Sequence, residues 1–261
     1  MRCTDKQKIE LLKIMGRAII DYGMIEDGDK ILICLSGGKD SLTLLDLLYE
    51  NQNIRIFPKK YELAAFHITL SKESTSYKVL EQYCSERKIE FHLKLSDLHP
   101  FIAKHENHRK NPCYLCSQIR RKWFLDEAEK LGIKKIALGH TLDDIATTSL
   151  MNIFFNRTLA SELPRLSILE DKFWLIRPLA YMEEKKIASY VKSHRLPVIK
   201  SRCAIGDNKR RKRIQRLLDE LEIEFPQIKK NIFASFRNPS PKFFLDNSFL
   251  PPDFKGKKYR P

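Results

Sequence analysis

A chain of 261 residues, 43% of them apolar and 15 of them Phe, is long and oily enough to bury a sizeable core, which excludes disorder as the default state. The 48 Lys and Arg outnumber the 33 Asp and Glu, and the resulting charge of +15 points to a polyanionic partner, nucleic acid first and an anionic membrane surface second. With no apolar run of roughly 18 residues, an opening stretch charged throughout rather than built as a secretory leader, and six cysteines too sparse for a disulfide scaffold, the expectation is a cytoplasmic protein with no membrane partner.

Apolar residues at Ile9, Leu12, Met15, Ile19 and Ile20 predict a helix over Lys8 to Tyr22, ended by Gly23. Ile31 to Leu35 is continuously apolar, as a strand buried on both faces would be. A helix follows over Ser41 to Glu50, then a strand at Glu62 to Ile68, a helix near Tyr77 to Lys88 and a strand at Glu90 to Leu95. Beyond a polar loop bearing His105 and His108, Leu115, Ile119, Trp123, Phe124, Ala128 and Leu131 mark a helix, "KKIAL" a fourth strand, and Asp143 to Asn156 another helix. Strands alternating with helices imply an α/β fold with a doubly wound parallel sheet. Past Pro197 the pattern Ile214, Leu217, Leu218, Leu221 is helical, and its other face carries "KRRKR", Lys209 to Arg213, with Arg216. The expected organisation is an N-terminal helix over 1–28, a nucleotide-binding α/β domain over 29–200 and a basic helical tail over 201–261.

In a doubly wound sheet, ligands sit beyond the carboxyl ends of the strands, where the first strand runs into "SGGKDS". The Walker A pattern fails there, because Gly38-Lys39 is followed by Asp40 and the position five before Gly38 is Ile33. The dinucleotide fingerprint fails too, since Gly37 and Gly38 are adjacent and no third glycine follows at the required spacing. The physics of a phosphate cradle nevertheless holds: two glycines let the backbone approach closely, and the next helix aims free N–H groups at an anion. Ser36, Lys39 and Ser41 add side-chain donors. Asp143 and Asp144 read as a metal-binding pair or as ordinary negative charge at a helix amino end. Cys113 and Cys116 lie about one helical turn apart; by itself such a pair is open to half a zinc knuckle, a redox pair, part of an iron site or chance.

"SGGKDS" after a hydrophobic strand resembles the PP-loop of the ATP pyrophosphatases, which cleave ATP between the α and β phosphates and adenylate a substrate. "LGHTLDDIATTSLMNIFFN" resembles the second block of the tRNA-modifying members. From "DYGMIEDGDKILICLSGGKDS" through "PCYLCSQIRRKWFLDEAEKLGIKKIALGH" to "WLIRPLAYMEEKKIASYVKSHRLPVI", the chain is similar to the tRNA 2-thiocytidine synthetase family over most of its length.

That resemblance implies an ATP-dependent sulfurtransferase that adenylates C2 of a cytidine, cytidine 32 of the anticodon loop, and replaces its oxygen with sulfur. ATP and Mg2+ would lie against Ser36, Gly37, Gly38, Lys39, Asp40 and Ser41, with Asp143, Asp144 and Lys39 as catalytic groups. His140 is left between contacting the nucleotide or base and a structural role. The family supplies Cys203 as a third thiolate beside Cys113 and Cys116 for a [4Fe-4S] cluster, and implies tRNA plus a cysteine desulfurase or sulfide as partners. A homodimer is left open. Two departures stand out: Cys203-Ala204-Ile205-Gly206 lacks the family's fourth cysteine, and Thr141 and Leu142 replace its usual His and Arg. The alternatives are another PP-loop tRNA enzyme, of the lysidine or 2-thiouridine type, or a non-catalytic RNA-binding descendant. Cys34 reads as core; Cys3 and Cys84 carry no assigned role.

Overall fold

The computed structural model describes residues 5–71, 75–98, 102, 112–199, 209–241 and 244. In chain order its elements are α1 (Lys6–Asp21), β1 (Asp29–Cys34), α2 (Lys39–Ile54), β2 (Tyr61–Ile68), α3 (Tyr77–Ser85), β3 (Glu90–Lys94) and α4 (Pro112–Lys130). There follow β4 (Lys135–Ala137), α5 (Leu142–Asn156), β5 (Arg165–Ile168), β6 (Phe173–Ile176), α6 (Glu184–His194), α7 (Lys209–Glu224) and α8 (Ile228–Arg237).

The strands form one six-stranded sheet in the order β3-β2-β1-β4-β6-β5. β1 runs parallel to β2, with Ile31 opposite Leu63, and parallel to β4, with Ile31 opposite Lys135. The chain therefore winds outward from β1 to β3 and then returns to place β4 on the other side of β1, which opens a crevice between their carboxyl ends. Only β5 departs from the parallel arrangement, pairing antiparallel with β6 through Ser167 opposite Trp174. The turn between them, Leu169, Glu170 and Asp171, takes left-handed φ values of 53°, 54° and 66° without a glycine. That hairpin and α6 are elements the sequence periodicity did not predict, because the turn carries no Gly or Pro to announce it.

Alternate residues along β1 and Leu35, which follows it, serve opposite layers. Ile31, Ile33 and Leu35 pack with α1, α2, α3 and α6, while Leu32 and Cys34 pack with Trp123, Phe124 and Ala128 of α4. Two apolar layers around one strand explain why its sequence is continuous rather than alternating. Burial pushes the Cys34 thiol well up, and raises that of Cys84 to about 12, which disfavours the thiolate at both. On the opposite side of α5 from the sheet, Ile214 and Leu218 of α7 and Ile232 of α8 close over Ala146, Leu150 and Met151.

A buried acid ties the first layer together. Asp46 on α2 accepts the phenol protons of Tyr83 on α3 (2.5 Å) and Tyr190 on α6 (2.6 Å), with Arg87 3.6 Å away. Burial, then the Asp46 charge, pushes both phenols far above their ordinary pKa. We expect Asp46→Ala to cost about 2–5 kcal/mol in urea unfolding at neutral pH, because two buried hydroxyls lose their acceptor. Adding Tyr83→Phe and Tyr190→Phe should recover part of that loss; an Asp46→Ala variant as stable as the parent contradicts this account.

Candidate functional site

The crevice between β1 and β4 is occupied by the "SGGKDS" turn. Gly37 adopts φ +83°, a conformation that glycine takes at no steric cost. Gly38 is the N-cap of α2 and supplies no side-chain cap, so the N–H groups of the first turn face the crevice unsatisfied by any capping side chain. The turn is held instead by its serines. Ser41 Oγ donates to the Gly38 carbonyl (3.1 Å) and lies 2.9 Å from Ser36 Oγ, while the Ser36 and Gly38 N–H groups donate to Ser41 Oγ and Ser36 Oγ. From the far side, the Ile199 N–H donates to the Gly37 carbonyl at 2.8 Å.

Where β4 ends, Gly139 lies against α2: a Cβ there would meet Ser41 N at 2.9 Å and the Asp40 carbonyl carbon at 3.0 Å. This close approach brings β4's exit and α5 up to the phosphate-type turn. α5 is capped differently from α2. Thr141 Oγ1 accepts the Asp144 N–H, and the Asp144 carboxylate accepts the Thr141 N–H, a reciprocal capping box that fixes Asp144 at the crevice.

Between these two helix ends, α4 and Arg177 lies a cavity of ≈ 510 Å³. Ser36, Asp40, His140, Asp144 and Glu162 line it opposite Arg120, Arg121 and Phe124 of α4. Asp40 Oδ1 and Arg120 Nε are buried there with no hydrogen-bond partner among the described residues. Burial, with Asp144 and Glu184 adding negative charge, raises the Asp40 pKa despite Lys39 at 3.0 Å. Two neighbouring carboxylates with an orphaned oxygen make a donor set suited to a hard cation that keeps part of its coordination for substrate oxygens. Lys39 also reaches Glu184 on α6 at 2.6 Å.

Not all residues singled out in the sequence meet. Asp144 faces the cavity, and Arg211 of α7 donates to its Oδ1 at 2.7 Å. Asp143 turns away: its Oδ1 accepts from the buried Lys229 of α8 at 2.6 Å and its Oδ2 from the Glu184 N–H at 2.7 Å. Lys229 is shared with Asp219 and Glu222, and these carboxylates outweigh burial to raise its pKa. Arg211 therefore does not belong to a solvated basic face, unlike its exposed neighbours Arg210 and Arg213. Cys113 and Cys116 lie at the amino end of α4, directly before Ser117, which lines the cavity, and no disulfide joins them. Cys203, His105 and His108 lie outside the described residues. Among the described residues no group of three or more His, Cys, Asp or Glu could hold a metal ion.

Sequence reading missed Glu162 and Arg177. His140 Nδ1 lies 2.8 Å from Glu162 Oε2, and Arg177 Nε lies 3.2 Å from the same oxygen. Arg177 Nε also donates to His140 Nδ1 at 3.0 Å, so the imidazole, the guanidinium and the carboxylate meet at one corner of the cavity. Burial would raise the Glu162 pKa, but the His140 hydrogen bond and the charges of His140, Arg177 and Arg211 outweigh it and lower it to about 2.

A model of the PP-loop domain family matches residues 5–221. A tRNA-cytidine(32) 2-sulfurtransferase from Pseudomonas putida (strain W619) is 35% identical over 255 residues, covering 97% of this chain and 92% of that protein. Another, from Ralstonia pickettii (strain 12J), is 38% identical over 243 residues, with 93% and 76% covered. Among solved structures, the U34-tRNA thiolase NcsA from Methanococcus maripaludis with its [4Fe-4S] cluster matches the fold with a TM-score of 0.70 at 24% identity, covering 88% of this chain and 78% of that one.

Because the folded pKa of Glu162 is depressed from 4.5 to about 2, its contribution is present above pH 4.5 and lost as pH falls from there to about 2. Glu162→Gln leaves Arg177 buried without its counter-charge, which should cost about 3–5 kcal/mol at pH 7. Urea unfolding at a series of pH values checks this: the gap between parent and variant should narrow as pH falls through that window, and a gap independent of pH contradicts the assignment.

Proposed function

The chain belongs to the PP-loop domain family and, within it, to the tRNA-cytidine(32) 2-sulfurtransferases, and from that premise we propose that it uses ATP to replace the C2 oxygen of cytidine 32 in tRNA with sulfur. The observation that carries this reading is the uncapped amino end of α2 facing a carboxylate-lined cavity at the β1/β4 crevice. A helix end with free N–H groups and no side-chain cap is suited to polyphosphate, and the adjacent acids are suited to the cation that accompanies it.

The C2 oxygen of cytosine is a poor leaving group. In the first step it attacks the α-phosphorus of ATP, the α–β bridging P–O bond breaks, and pyrophosphate departs with the electron pair. The Lys39, Asp40 and Ser41 N–H groups lie where that negative charge collects, and Lys39 exchanges Glu184 for a phosphate oxygen. Asp40 and Asp144 would hold Mg2+, which when bound neutralises charge on the phosphates. In the second step a sulfur nucleophile adds at C2, the C–O bond breaks, and AMP leaves with the oxygen.

Phe124 offers an aromatic face to the base, while Arg120 and Arg121 offer donors to its phosphates. Glu162 and Arg177 set His140 in one orientation at the cavity wall. Asp143 acts at one remove, anchoring α6 and α8 against the first turn of α5. Cys113, Cys116 and Cys203 would hold a [4Fe-4S] cluster, which when bound offers sulfide an iron without a protein ligand. Cys203 follows Ile199, and its hydrogen bond to the phosphate turn, by four Cα–Cα steps of chain, a reach of at most about 14 Å.

The test is iron and acid-labile sulfide content, with an absorbance spectrum, of anaerobically purified protein and of Cys113→Ala, Cys116→Ala and Cys203→Ala. We expect the parent to hold about four irons per chain and each variant to lose them. A reconstituted parent without iron, or a cluster indifferent to Cys203→Ala, overturns the three-thiolate assignment.

A further inference from the structure

The carboxyl end of α5 is aromatic and exposed in a way the core does not explain. Ile153, Phe154 and Phe155 are consecutive, so together they sweep about 200° of helix surface, more than one buried face can receive. The apolar side of this helix is already supplied by Ala146, Leu150 and Met151, which meet Ile214 and Leu218. Phe154 and Phe155 are instead 53% and 41% exposed, with their rings edge to face and centroids 6.5 Å apart. Arg210, at the amino end of α7, places its guanidinium 5.0 Å from the centre of the Phe155 ring. Arg157 follows in a left-handed conformation at the end of α5, exposed to solvent.

Two stretches of chain thus meet in one patch, and neither 153–159 nor 209–213 contains an acidic residue. A second copy of the chain is a poor occupant, since a two-fold contact here would set one basic patch against the same basic patch of the other copy. A purely apolar partner would leave those guanidinium groups without a counter-charge. Exposed aromatic faces interleaved with arginines match unpaired nucleotides, whose bases stack on rings and guanidinium planes while phosphates take the charge.

We propose that Phe154 and Phe155, with Arg210 and Arg157, form a stacking platform for an unpaired base of the tRNA anticodon loop. The inference rests on the tRNA reading above and adds where the loop is gripped. Phe154 lies ten residues beyond Asp144 on the same helix, about 15 Å along its axis. A base held there sits a few nucleotides from one in the cavity, as bases of one loop do.

The test uses the full chain, fluorescence anisotropy, an RNA hairpin with the stem and loop of a tRNA anticodon arm, and a blunt RNA duplex of equal length. We expect Phe154→Ala with Phe155→Ala to weaken hairpin binding about tenfold or more while duplex binding changes less than about twofold. Phe154→Tyr with Phe155→Tyr should bind the hairpin like the parent, because a stacking face is kept. The loss in the alanine variant should persist at raised salt, whereas that of Arg210→Gln should shrink. Hairpin affinity unchanged in the alanine variant, or an equal loss for hairpin and duplex, overturns the platform. So does a shift from dimer to monomer with RNA affinity intact, which would make the patch a contact between copies. A parent chain that binds no hairpin would instead overturn the tRNA reading itself.

Discussion

The organisation of the sheet's carboxyl edge depends on leaving the amino end of α2 without a cap. Four backbone N–H groups at a helix start need partners, and most helices supply a side chain. Here Gly38 supplies none, so the turn must be stabilised by other means: the Ser36 and Ser41 hydroxyls within it, Ile199 from behind and Gly139 pressed against it from β4. The neighbouring α5 makes the opposite choice and spends its first turn on the Thr141–Asp144 box. One helix end is therefore open to an anion, and the other presents a fixed carboxylate beside it.

Charge is distributed with the same economy. A surplus of +15 reads from the sequence as a surface property, yet part of the basic complement is internal. Lys229 is buried against Asp143, Arg211 is paired to Asp144, and Arg177 is buried against Glu162. Because isolated buried charge is costly, each cation fixes the orientation of the acid it meets. α7 and α8 accordingly hold one oxygen of each aspartate, beside the Thr141 box that fixes Asp144 and the Glu184 N–H that meets Asp143, while Arg210 and Arg213 stay exposed.

Much of this was legible in the sequence. Ile31 to Leu35 running into "SGGKDS" placed the first strand, the turn and the helix, and Asp143-Asp144 marked the start of α5, because these signals are local. The β5–β6 hairpin was not legible, since Leu169, Glu170 and Asp171 form a left-handed turn from residues that seldom announce one. Glu162 and Arg177 were missed for a different reason. Their significance comes from His140, 22 and 37 residues away in sequence, and nothing local distinguishes them from surface charges. Arg210 and Arg211 make the point within one dipeptide, for one stacks on Phe155 and the other reaches Asp144. Periodicity predicts a helix there and is silent on which arginine faces inward.

The most direct measurement of the central claim is the product balance when the chain, ATP, a sulfide source and tRNA are incubated anaerobically. The account predicts one AMP and one pyrophosphate for each 2-thiocytidine formed at position 32, with no turnover when tRNA is withheld. ADP and phosphate as products, sulfur on a uridine, or thiolation without AMP would contradict it.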